Sequence, residues 1–320
     1  MNIFIIGGTG FIGYHATLEF IKHGYKVSTL SLPPLPVDQL LPPEVNIQLG
    51  DLNELSDENI RDLLRGQDAL VFAAGADDRV IPKAPAYDFF YEANVRVPKR
   101  LYQLAKEAGV QKGVLLGSYF AYFNRVWPRL ELAKHHPYIR SRVAQIMETM
   151  EVAMPDLDLM VLELPYIFGS MPGRTPLWAP LLRYLRSPMP LFYPRGGSNC
   201  VSVKQVGKAI LGAVERGRRG EIYQIGDENL KWEEMLTRLG QAAGIKKRFI
   251  PLPNWIVRAG LALTEVYIRV RGREGGLDLF HFADLQTAET FFDPKPSRKA
   301  LGYGHGDLDQ AFKDTVDACL

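Results

Sequence analysis

Three glycines, Gly7, Gly10 and Gly13, recur at three-residue intervals in the stretch NIFIIGGTGFIGYHATLEFIKH near the start of this 320-residue chain. Glycines so spaced can do one kind of chemistry, which is to hold a phosphate. A turn without Cβ atoms lets its backbone approach a pyrophosphate closely. A helix starting at that turn offers the anion unpaired N–H groups and a partial positive charge. The elements that must position the turn flank it. Ile3, Phe4, Ile5 and Ile6 form an apolar, β-branched and aromatic run suited to a strand buried on both faces. Ile12, Ala16 and Phe20 fall four apart on one helical face. Gly24 ends that helix as a left-handed cap would, and Lys26 to Leu30 reads as a second strand. The third glycine lets helix and strand pack tightly. A glycine triplet alone is weak evidence; strand, glycine turn, helix, strand is the context that gives it weight.

The rest of the chain repeats the alternation. A proline-rich loop, SLPPLPVDQLLPPE, precedes a strand at Asn46 to Leu49, and Ser56 caps a helix with Asp57 and Glu58 in its first turn. Further strands are expected at Ala69 to Ala73, Gly113 to Leu116 and Leu159 to Leu164, and helices at Ala86 to Ala108 and Tyr138 to Glu151. Strands alternating with helices call for an α/β fold, a doubly wound parallel sheet of the Rossmann type. Ligands of such sheets bind at the carboxyl ends of the strands. The glycine turn, Asp51, Ala73, Ala74, Ser118 and Pro165 all fall at expected strand ends, so one cleft could collect them. From Gly169 prolines recur among aromatics, marking a smaller substrate lobe. The division is therefore 1–168 as dinucleotide-binding domain, its sheet completed by about 203–226, and 169–320 mostly as substrate-binding lobe.

Composition sets limits. A hydrophobic content of 47% suits one large domain with an appended lobe, and a net charge of +2 implies neither a nucleic-acid partner nor an acidic membrane surface. No apolar run approaches the ~20 residues of a membrane span, so no integral membrane segment is expected. The first residues are already a strand, which argues against a signal peptide. Cys200 and Cys319 show neither metal spacing nor a disulfide framework, and a cytoplasmic location is the default. A small-molecule substrate is the expected partner, and a homodimer is allowed.

The spacing in GGTGFIG resembles the extended short-chain dehydrogenase/reductase family, the NAD-dependent epimerase/dehydratase superfamily, with a texture nearest its 3β-hydroxysteroid dehydrogenase and dihydroflavonol reductase members. The likeness runs to Val203, Val206, Gly220, Tyr223, Ile225 and Gly226, and to the segment Lys299 to Tyr303. It implies cofactor contacts from Gly7, Thr9, Gly10, Phe11, Ile12 and Gly13, from Asp51 and Leu52 at the adenine, and from Ala73, Ala74, Asn94 and Pro165. An NAD-binding carboxylate is expected about 20 residues past the turn. That place holds Ser31, with no carboxylate to repel a 2′-phosphate and no adjacent arginine to bind one, so the cofactor expected is NADP, with NAD the alternative.

The resemblance also assigns an active site. YIRSRVAQIME is similar to the family's Y-x-x-S-K helix start, with Tyr138 as acid–base, Ser141 in place, and Arg142 where lysine normally stands. A tyrosine near pKa 10 is a poor acid–base unless a cation lowers that value. One turn along, Arg142 could be that cation and anchor the nicotinamide ribose, but it cannot relay protons. Ser118 aligns with the Ser or Thr that bonds the substrate carbonyl. Asn94 would hold the strand ends.

Departures from the family pattern include Gln205 for Asp, an altered hinge, and Glu163 where many sugar-active members carry Arg. Trp178, Phe192 and Tyr193 are the expected substrate contacts, and His135 and His136 read as solvated or cleft-lining. The basic-ended apolar helix from Asn254 reads as packed lobe surface, with a lid or a membrane-surface contact as the sharper alternative. The function expected is NAD(P)-dependent interconversion of a ketone and a secondary alcohol. The alternatives are a nucleotide-sugar epimerase or dehydratase, and a non-catalytic NADP-binding sensor of the same fold. No metal site is expected.

Overall fold

The apolar run at the start forms β1 (Asn2–Ile6), and the computed structural model, which describes residues 1–319, places it within a seven-stranded sheet. The chain continues through α1 (Phe11–Lys22), β2 (Lys26–Ser31), β3 (Asn46–Leu49), α2 (Asp57–Leu64), β4 (Ala69–Phe72), α3 (Ala86–Tyr91), α4 (Val97–Glu107), β5 (Lys112–Ser118), α5 (Tyr119–Val126), α6 (Leu132–His135), α7 (Pro137–Ala153) and β6 (Asp158–Leu164). It then forms β7 (Tyr166–Phe168), α8 (Ala179–Arg186), β8 (Leu191–Pro194), β9 (Gly197–Ser202), α9 (Val203–Arg216) and β10 (Ile222–Gln224). The remaining elements are β11 (Glu228–Lys231), α10 (Trp232–Ala242), β12 (Phe249–Leu252), α11 (Asn254–Val270), α12 (Leu279–Gln286), β13 (Glu289–Thr290), α13 (Lys295–Leu301) and α14 (Leu308–Asp317).

The large sheet has the order β10-β6-β5-β4-β1-β2-β3, and all its pairs are parallel. Strand order reverses between β1 and β4, where a crevice opens at the carboxyl ends. Alternate residues of the central strands feed two cores. Ile3, Ile5, Val71 and Val114 face α1 and α9, while Phe4, Ile6, Leu70 and Phe72 face α2, α4 and α7. Burial on both faces explains why these strands read as continuous apolar runs. A third core, built on Trp232, Met235, Leu236 and Phe312, lies under the small sheet β11-β9-β13, whose β9 also pairs β7. The chain does return to the large sheet: β10 pairs β6 through Ile222, Tyr223 and Gln224.

One element departs from expectation. The long helix over 86–108 is interrupted by a wide π-turn at Glu92–Arg96. Pro98 has no N–H to return to the carbonyl four residues back, and its ring would strike that carbonyl, so the ladder widens there. The turn carries Asn94, which is fully buried.

Candidate active site

The glycine turn has the shape its sequence implies. Gly7 sits at φ +82°, and a Cβ there would lie 2.9 Å from the Ala73 carbonyl oxygen of β4. At Gly13 a Cβ would fall 2.1 Å from the Gly7 oxygen, so this position packs helix against strand. A Cβ on Gly10 would meet only the Gly7 oxygen, at 3.1 Å. Gly10 is the N-cap of α1 and supplies no side-chain cap. The first turn of the helix thus keeps its N–H groups for an anion, and the residues fit a pyrophosphate. Thr9, Phe11 and Ile12 lie in this turn.

The neighbouring strand ends brace the turn. Thr29 accepts from the Gly8 N–H at 3.0 Å, and the Ser31 hydroxyl accepts from the Thr9 N–H at 3.2 Å. Ser31 is buried at the last position of β2. Asp51 accepts from the Asn53 N–H beyond β3, and Leu52 lines a pocket of about 290 Å³ with Arg96, Val97 and Arg100. Pro165 is buried between β6 and β7.

From Ala73 the chain leads to the catalytic candidates. Asn94 clamps the loop after β4, accepting from the Ala76 N–H at 2.7 Å, and donates to the Ser141 hydroxyl at 3.2 Å. Arg142 donates to the Ala76 carbonyl at 3.2 Å, the Leu116 carbonyl at 3.5 Å and Gln145 at 3.0 Å. These partners are all neutral, and its Nε has none among the described residues. A buried guanidinium with spare donors suits added acceptors such as ribose hydroxyls. It also stacks 5.1 Å from the centre of the Tyr138 ring.

Tyr138 is buried in the first turn of α7, edge-on to Phe90 and Phe120 at 5.7 and 6.4 Å. Its N–H donates to the Gly276 carbonyl at 2.8 Å. A Cβ on Gly276 would fall 2.6 Å from Phe90 and 2.9 Å from the Tyr138 Cβ, so only glycine lets this return segment lie over the tyrosine. Burial raises the phenol above its ordinary value and Asp78 adds to the rise; the Arg142 charge and hydrogen bonding by Ser118 and Arg142 oppose it. Ser118 ends β5 and caps α5, accepting from the Phe120 N–H at 3.3 Å, so it serves a capping role beside the phenol.

Asp78 is the residue sequence reasoning missed. Its carboxyl is pushed up to about 6, by burial first and then by the neighbouring Asp77. Its charge is felt by Tyr119, Tyr138 and Tyr166. The signal lay in two consecutive carboxylates after the strand, in DALVFAAGADD. Asp77 is tied into a bidentate pair with Arg79, while Asp78 is only partly exposed. An acid whose folded pKa exceeds its unfolded one stabilises the fold fully only below the unfolded value, and loses that contribution as pH rises through the folded pKa. Asp78→Asn is therefore expected to be more stable than the parent by about 1–3 kcal/mol near pH 8, and the gap to close near pH 4. Urea unfolding at the two pH values measures it.

Several sequence expectations are relocated. Glu163 is fully buried and takes a bidentate pair from Arg125 at 2.8 and 2.7 Å, plus Gln224 at 2.9 Å, so it binds α5 and β10 to β6. Gln205 is a clamp on the C-terminal segment, donating to Asp307 at 2.9 Å and accepting from Gly304 at 2.7 Å. His136 is neither solvated nor cleft-lining: it is fully buried, its Nδ1 accepts from the Asp278 N–H, and burial pushes it down to about 4. His135 stacks on His281 at 3.7 Å. Trp178 stacks on Phe168 inside the third core and Phe192 points to solvent, whereas Tyr193 lies against Trp232 on the Tyr166 side. The three aromatics thus do not form one wall.

A doubly wound parallel sheet with an uncapped glycine turn at its switch point, and a Tyr–Arg pair beyond it, defines a Rossmann dinucleotide-binding protein. Residues 3–226 match the NAD dependent epimerase/dehydratase family, and the chain belongs to it, a family of nicotinamide-dependent enzymes. It is 24% identical to a putative dihydroflavonol 4-reductase of Synechocystis, over 98% of this chain and 93% of that protein. It is also 24% identical to sterol demethylase protein B of Methylococcus capsulatus, over 99% and 97%. Among solved structures, UDP-glucuronic acid 4-epimerase from Bacillus cereus, in complex with UDP-glucuronic acid and NAD, covers 100% of this chain and 99% of its own at a TM-score of 0.70 and 14% identity, a likeness of fold.

Proposed function

We propose that the protein reduces a ketone to a secondary alcohol with a nicotinamide cofactor, Tyr138 donating the proton. The observation that carries this reading is the buried Tyr138 phenol with Arg142 stacked on it and tied to the loop after β4. Bound in the cleft, the cofactor supplies the hydride. As the carbonyl oxygen gains charge, the phenol gives up its proton, and Arg142 stabilises the tyrosinate that remains. Ser118 is the second donor to that oxygen. Arg142 keeps its own proton throughout, so the tyrosine is reprotonated by another route. Burial keeps the phenol protonated but makes it a weaker acid, so the Arg142 charge and the hydrogen bonding that oppose the rise are what support proton transfer. The reductase relative supports the same chemistry, and the sterol-named relative supports an apolar substrate.

We also read residues 169–320 as mostly the substrate lobe. Oxidation of NADPH by the purified protein against a panel of cyclic and aromatic ketones, with chromatography of UDP-sugars incubated alongside because epimerisation and dehydration consume no net cofactor, tests the reading. Ketone-dependent turnover supports it; turnover of the sugars alone, or none with cofactor bound, replaces it with the epimerase or the sensor.

The cofactor read from Ser31 is NADP. Ser31→Asp keeps an acceptor for the Thr9 N–H and adds a charge that repels a 2′-phosphate. Preference is expected to move toward NAD by roughly tenfold or more, measured by titration of both cofactors. Unchanged or tighter NADP binding would place the specificity residue elsewhere.

A further inference from the structure

Helix α11 turns the wrong face to water. Its buried positions are Val257 and Glu265, and Glu265 is occupied by Arg269 at 2.6 Å and the Leu279 N–H at 3.1 Å. Outward, Ile256, Leu263, Tyr267 and Val270 fall on one stripe, flanked by Trp255 and Val266. Trp255, Leu263 and Val270 are 70%, 73% and 83% exposed. A surface helix ordinarily shows the opposite arrangement.

Charge says what covers the stripe. Residues 246–273 hold seven basic side chains against the single acid Glu265, in a chain whose net charge is only +2. Arg258 and Arg269 are paired with Asp284, Glu265 and Asp278. Lys246 and Arg248 before the helix, and Arg271 and Arg273 after it, form no ion pair among the described residues and are exposed. Arg271 lies 4.1 Å over the Tyr267 ring, on the apolar face. A second copy is a poor occupant: a two-fold contact along this stripe would set the basic start of one helix against the basic end of the other.

We propose that α11 lies in the headgroup region of an anionic lipid bilayer, its apolar stripe inserted and its basic ends on the lipid phosphates. Trp255 and Tyr267 suit that boundary, where one end of the ring is apolar and the other wet. The helix does not cross: among the described residues no helix is long and apolar enough to. Its C-terminal end also holds the loop that leaves the cleft. Arg273 donates to the Ile81 carbonyl at 3.0 Å, and the Ala84 N–H donates to the Gly272 carbonyl at 3.1 Å. The same loop carries Ala76 and Asp78, so the docked face adjoins the mouth of the site. This inference stands on α11 alone and does not depend on the reductase reading.

Sedimentation with vesicles of phosphatidylcholine, with and without phosphatidylglycerol, tests it. The protein is expected to pellet with the phosphatidylglycerol vesicles, less so as salt rises. Leu263→Glu with Val270→Glu is expected to weaken binding by roughly tenfold or more, with unchanged thermal unfolding because both side chains are exposed. Lys246→Glu with Arg271→Glu is expected to abolish the lipid-charge dependence. Wild-type protein left in the supernatant, or an unaffected Leu263/Val270 pair, overturns the proposal. So does a solution dimer, seen by light scattering, that the same pair splits.

Discussion

Tyr138→Phe is expected to lower turnover by about 10²–10⁴-fold while cofactor affinity stays nearly unchanged, the range for removal of a general acid. The substitution keeps the ring, so the edge-on contacts to Phe90 and Phe120 persist and the protein folds. Arg142 separates from it in kind. Arg142→Ala takes away the cation over the phenol and the donors to the Ala76 and Leu116 carbonyls together. It is expected to weaken cofactor binding and to raise the apparent pKa of the tyrosine in the pH–rate profile. Arg142→Lys keeps the charge but not the fork, and is expected to retain or improve turnover. Full activity in Tyr138→Phe would move the proton to another group, with Asp78, whose charge acts on the phenol, a candidate.

Gly10→Val is expected to abolish measurable cofactor binding, a loss of roughly 10²-fold or more. The reason is positional. A Cβ on Gly10 meets one backbone oxygen at 3.1 Å and little else in the protein, so the fold adjusts by a few tenths of an ångström. The branched chain then occupies the space in front of the uncapped α1. Gly13→Val is the contrasting case: its Cβ would strike the Gly7 oxygen, and it is expected to fail in folding before binding can be measured. Titration of folded Gly10→Val, with its circular dichroism matched to the parent, decides the point; retained affinity would show that the pyrophosphate lies elsewhere.

Local chemistry explains what could be read from sequence. The strands of the large sheet, buried on both faces, were legible as apolar runs, and so was the glycine turn, because each requirement is carried by adjacent residues. That Tyr138 and Arg142 sit together was legible through the likeness of their segment to the family's helix start. The π-turn at Asn94 was less so, since it depends on how one proline is absorbed by a helix already committed on both sides. Asp78 was harder still. Its character comes from burial and from the neighbouring Asp77 charge, and its own charge acts on Tyr119, Tyr138 and Tyr166, which come from other strands and helices. Gly276 reaches Tyr138 across more than a hundred residues, and no local pattern announces that contact.

The pairing of β10 with β6 bears on how the chain is made. At the ribosome, β6 emerges well before Ile222 to Gln224, and about sixty residues of the second sheet and its helices must be synthesised in between. Until then Val161 to Glu163 present an unpaired backbone edge, the kind that recruits foreign strands. The Arg125–Glu163–Gln224 cluster likewise completes itself only when that last strand arrives. A fragment cut after Phe168 would be left with this open edge and is expected to aggregate. Nascent protein is thus most in need of a chaperone during the synthesis of the segment that follows β6.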